Sequence, residues 1–60
     1  MLFYACINGS SIIGYNILNL AKRKAKEFKL KYPKDEITVE WSSWYEGTKS
    51  KDTYHVLKIE

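Results

Sequence analysis

Residues 2–14 read LFYACINGSSIIG, and the point at which the extended run gives way to another element decides the fold. Leu2 to Ile7 is short, apolar and rich in aromatic and β-favouring residues, the composition of a strand. Asn8-Gly9 ends it. Ser10 or Ser11 can then cap a helix, its hydroxyl accepting a hydrogen bond from an early helical N–H. From there the apolar spacing is helical: Ile13, Ile17, Ala21 and Phe28 share a face, with Gly14, Leu18 and Ala25 beside them. Gly14 lowers helix propensity by about 1 kcal/mol, and with Ala21 and Ala25 it lets the helix approach a sheet closely. Lysines late in the helix suit the negative end of its dipole. Pro33 cannot continue the hydrogen-bond ladder and disfavours helical geometry at Tyr32, so the helix is expected to stop there.

The remainder alternates. In Glu36 to Tyr45, Ile37, Val39 and Trp41 face one way, and Thr38, Glu40, Ser42 and Trp44 the other. Glu46 to Asp52, with Gly47 and Ser50, is a polar connection of hairpin length. From Thr53 to Glu60, His55, Leu57 and Ile59 oppose Tyr54, Val56 and Lys58. The expected fold is therefore α+β, one domain over residues 1–60 in the order β-α-β-β.

Two sheet arrangements compete. The third strand can lie between the first and second, giving an antiparallel three-stranded sheet of order 1-3-2. Alternatively the first two strands pair in parallel through a right-handed crossover. The first is preferred, because antiparallel pairs are commoner and Val56, Leu57 and Ile59 make the last strand apolar enough to be central. In either case one helix covers one face. Phe3, Ala5, Ile7, Ile37, Val39, Trp41, Leu57 and Ile59 should meet Ile13, Ile17, Leu18, Ala21, Ala25 and Phe28. The reverse face, carrying Tyr4, Cys6, Thr38, Glu40, Ser42, Trp44, Tyr54, Val56 and Lys58, has no second layer.

Composition narrows the chemistry. A 60-residue chain buries only roughly 60% of its unfolded surface, so packing or self-association must carry its stability. Cys6 stands alone, which excludes an internal disulfide, and with His55 it is too little for a structural zinc site. A hydrophobic fraction of 45% and an aromatic fraction of 15% argue against disorder. No run approaches the roughly 20 apolar residues of a spanning helix. No signal peptide is visible, and with a lone thiol this points to the cytoplasm.

The net charge of +3 conceals an asymmetry. Lys22, Arg23, Lys24, Lys26, Lys29, Lys31 and Lys34 crowd one segment, opposed there only by Glu27, whereas the rest of the chain is mildly acidic. Such segregation attracts nucleic acid or an acidic protein surface. Lysine outnumbers arginine nine to one, and bidentate phosphate and base contacts favour arginine. On a helical wheel Lys22, Lys26 and Lys29 form a stripe away from the core. The element order and lysine-rich composition resemble small accessory proteins encoded by bacteriophages or mobile elements, a resemblance that implies no particular site residues.

Catalysis is not expected. Cys6 and His55 fall on opposite sheet faces in this register, with no third group to orient them, and Glu36, Glu40 and Glu46 have no cleft to work in. Asn8-Gly9-Ser10-Ser11 leads into a helix N-terminus, yet its spacing matches neither the P-loop nor the dinucleotide fingerprint. No cofactor, metal, membrane or small-molecule substrate is implied.

Binding is the expected function. Tyr4, Glu40, Ser42, Trp44, Tyr45, Tyr54 and Lys58 combine aromatic anchors with small hydroxyls and charges of both signs, which suits a protein interface. An exposed strand edge offers a further route, and pairing with a second copy would stabilise so short a chain. The expectation is an adaptor or inhibitor that binds another protein, itself, or both. The alternative is nucleic-acid binding through Lys22, Arg23, Lys26 and Lys29.

Overall fold

A computed structural model describes residues 1–42 and 54–60. The elements are β1 (Phe3–Ile7), β2 (Ser10–Tyr15), α1 (Leu18–Lys31), β3 (Ile37–Ser42) and β4 (Tyr54–Ile59). The α+β class and, among the described residues, the single helix agree with expectation. Among those residues the sheet has four strands rather than three, in the order β2-β1-β3-β4, with every neighbouring pair antiparallel.

The extra strand comes from the segment read as a helix start. Asn8 and Gly9 have φ values of 51° and 84°, and Ile7 pairs with Ser10 across them. Two consecutive left-handed residues form a type I′ turn, whose twist matches that of the strands it joins. Gly9 takes this conformation without penalty, and asparagine is among the few other residues that tolerate it. Ser10 and Ser11 therefore belong to a strand instead of capping a helix, and Ile12, Ile13 and Tyr15 follow their β preference. A bulge opposite Ala5 and Cys6 shifts the register. The turn is tied to the connection before β3: Asn8 N–H donates to the Glu36 carbonyl (2.8 Å), Glu36 N–H to Asn8 Oδ1 (2.9 Å), and Asn8 Nδ2 to Asp35 Oδ1 (3.2 Å).

Helix α1 begins after Ile17, which provides no side-chain cap. It stops where expected, with Tyr32 N–H donating to the Phe28 carbonyl at 2.7 Å ahead of Pro33. Its buried stripe is Leu18, Ala21, Ala25 and Phe28. The two alanines bring the helix backbone close to Ala5, Ile37, Val39 and Ile59, while Phe3, Ile7, Tyr15, Trp41 and Leu57 close the margins. Ile13 and Ile17, expected in the helical face, lie in or beside β2 and are exposed.

Because β2 and β3 both run antiparallel to β1, they are parallel to each other, and α1 is the crossover between them. This resolves the competing topologies in favour of neither. The strand beginning at Ile37 pairs directly and antiparallel with β1, and the last strand lies at an edge rather than in the centre. The central position of β1 and β3 follows from burial on both faces, seen as the consecutive buried residues Ala5-Cys6 and Ile37-Thr38-Val39. In β4 burial alternates, as in a strand covered on one side. Among the described residues no helix is long and apolar enough to cross a membrane.

Candidate functional site

Strand register arranges the sheet face opposite α1 into rows. Gly14, Tyr4, Glu40 and Val56 are aligned across β2, β1, β3 and β4; Ser11, Cys6, Thr38 and Lys58 form the next row; Ser42 pairs with Tyr54 beyond them. The expected site residues Tyr4, Glu40, Ser42, Tyr54 and Lys58 thus share one face. Trp44 and Tyr45 lie outside the described residues.

Glu40 organises the middle of this face. Its Oε2 accepts from Thr38 Oγ1 at 2.8 Å and its Oε1 accepts from Tyr54 Oη. The Tyr54 bond holds the Glu40 carboxyl below its ordinary 4.5, against the opposing effect of burial. The same bond pushes the Tyr54 phenol from 10.0 up to about 12. Tyr54 is thereby held in one orientation although 52% of it remains exposed. Tyr4 is set by a different device: its ring lies over Gly14, where a Cβ would stand 2.9 Å from Tyr4 Cε1. Glycine is required here for that close approach.

The centre of the face is closed. Cys6 is 0% and Thr38 4% exposed, short side chains lying below Tyr4, Glu40 and their neighbours. The Cys6 thiol is directed to the Tyr4 carbonyl at 3.5 Å and lies 3.7 Å from Ser11 Oγ. Burial raises its pKa above 9.0, and the Glu40 charge adds to that while the Ser11 bond opposes it. His55 is on the other face, stacked on Trp41 with ring centroids 5.3 Å apart. The two residues that suggested a nucleophile and a base are not brought together. Nor is the Asn8–Ser11 turn a helix N-terminus, so the anion-binding geometry considered there is not formed.

Around this closed centre the surface is open and apolar. Val56 is 57% exposed beside Tyr54, and Met1, Leu2, Tyr4 and Ser42 line an open depression of about 480 Å³. Val56 falls on this face by the alternation of the last strand, as the sequence predicts, whereas Met1 and Leu2 are not among the residues that the sequence assigns to it.

The basic residues Lys22, Lys26 and Lys29 lie on the opposite side of the sheet, along the flank of α1 nearest β4. With Leu30, Leu57, Lys58, Ile59 and Glu60 they line a second groove, of about 520 Å³. Arg23 turns toward Asn19 and Leu20, in an adjoining depression that Lys22 and Lys26 also border. Among the described residues the one carboxylate paired with a lysine is Glu27, 3.5 Å from Lys24. No group of three or more His, Cys, Asp or Glu side chains is placed to hold a metal ion among the described residues. Comparison with family models, with curated proteins and with solved structures returned no match.

Proposed function

We propose that this chain is a small protein-binding module, an adaptor or inhibitor that acts by docking its α1-distal sheet face onto another protein or a second copy of itself. The observation that carries this reading is the state of Tyr4, Tyr54 and Val56. They remain exposed on a face with no second layer among the described residues, while Gly14 and Glu40 hold the two rings in place beforehand. Rings fixed in advance lose little side-chain entropy on binding, and aromatic anchors beside small hydroxyls are characteristic of interface centres. Lys58 and Glu40 supply charges of both signs for orientation.

The test uses Tyr54→Ala combined with Val56→Ser, two exposed positions whose replacement spares the core. Self-association is read by sedimentation velocity, and capture of protein partners by the immobilised chain is read in parallel. The double variant should lose both while its far-UV circular dichroism stays unchanged. Association equal to that of the parent in both assays would defeat the proposal.

A further inference from the structure

The groove between α1 and β4 lies on the other side of the sheet from the face proposed above and shares only Lys58 with it. Its origin is geometric. The helix is seated over β1 and β3 and leans least on β4, so Leu57 is left only half covered beside the buried Ile59. Leu30, in the last turn of α1, projects over this gap and is 85% exposed. Leu30 and the half-exposed Leu57 together make a small apolar strip along the groove.

The rim is of one sign. Lys22, Lys26 and Lys29 follow each other at helical spacing on the α1 side, and Lys58 stands on the strand side. Lys29 also donates to the Asp35 carbonyl at 3.3 Å, which fixes its ammonium group without neutralising it. Among the described residues Glu60 is the one acidic residue on the lining. Four ammonium groups around an apolar floor favour a ligand with carboxylates at its margins and an aliphatic side chain at its centre. Among the described residues β4 has no strand on its outer side, so alternate backbone N–H and C=O groups along it are open to an extended chain.

We infer that this groove binds an extended acidic segment of a partner protein, laid along the β4 edge with an aliphatic side chain on Leu30 and Leu57 and its carboxylates facing Lys22, Lys26 and Lys58. A nucleic-acid strand fits the charge but not the floor. Strands bound without duplex are held by stacking on aromatic rings, and among the described residues the lining contains none.

The experiment measures fluorescence anisotropy of the whole chain with a labelled peptide in which glutamates flank a central Leu-Val-Leu. Comparison probes replace the glutamates by lysine or the central residues by serine, and a labelled oligouridylate tests nucleic acid. The acidic leucine peptide should bind, and binding should weaken with salt. It should fall at least about tenfold for Lys22→Glu with Lys26→Glu, because each reversal turns an attraction into a repulsion. Leu30→Ser, a change at an exposed position with little effect on folding, should weaken binding several-fold, as should the serine probe. Tyr54→Ala with Val56→Ser should leave it unchanged, which separates this site from the face proposed above. Equal binding of the serine probe, insensitivity to Leu30→Ser, or preference for oligouridylate over the peptide would overturn the inference. So would absence of peptide binding at low salt.

Discussion

Replacing Asn8 by alanine removes two supports of the β1–β2 turn. The first is conformational: at φ 51° a Cβ-bearing residue other than asparagine or aspartate is disfavoured by about 1 kcal/mol. The second is the pair of side-chain hydrogen bonds to Glu36 N–H and Asp35 Oδ1, worth about 0.5–1 kcal/mol each at a surface site. The backbone bond from Asn8 N–H to the Glu36 carbonyl is available to any residue that keeps the turn. The sum is about 2–3 kcal/mol, against about 3–9 kcal/mol for the total stability of a chain this size. Thermal unfolding followed by circular dichroism should show Tm lowered by roughly 10–20 °C. Asn8→Gly, which retains the left-handed conformation and loses only the side-chain bonds, should fall between the two. An Asn8→Ala chain melting within about 2 °C of the parent would refute the assignment of this turn as the tie between β1, β2 and the start of β3.

Three further outcomes follow from the face opposite α1. Ultraviolet titration should find a tyrosine ionising near 12, absent from Tyr54→Phe and returned toward 10.0 by Glu40→Gln. The phenol is raised in the folded state, so its bond to Glu40 contributes fully below pH 10.0 and is lost as pH rises through about 12. The Glu40 carboxyl is lowered, so its share is present above 4.5 and is lost as pH falls through the depressed value. Stability of the parent relative to Glu40→Gln should therefore narrow at both extremes. The Cys6 thiol, buried and held protonated by burial, should react with iodoacetamide only as fast as the chain opens, and at the rate of a free thiol in denaturant. Rapid modification of the native chain would contradict that burial.

Much of the fold is legible in the residues. Alternation at Ile37–Ser42 and Tyr54–Ile59 identifies strands and assigns each residue to a face, because a side-chain period of two allows only two sides. Pro33 marks the end of α1, and Leu18, Ala21, Ala25 and Phe28 mark its buried stripe. The face bearing Tyr4, Glu40, Ser42, Tyr54 and Lys58 could be assembled from this alone. The Asn8-Gly9 pair was legible as well: flanked by apolar runs, it signals a type I′ hairpin. Its weight was lost to the spacing of Ile13, Ile17 and Ala21, which fits a helical period by coincidence across a strand, a bend and a helix. Once that hairpin is admitted, the crossover begins from β2, and the antiparallel pairing of β1 with β3 follows.

Local pattern alone determined where the strands of the second half lie, which side each residue faces and where the helix ends, since those depend on neighbours within a few positions. Tertiary structure alone decided which strand stands at an edge and that Leu30 overhangs a gap beside β4. These depend on where one helix can rest on four strands: packed through Ala21 and Ala25, it covers the middle of the sheet and leaves the margin open.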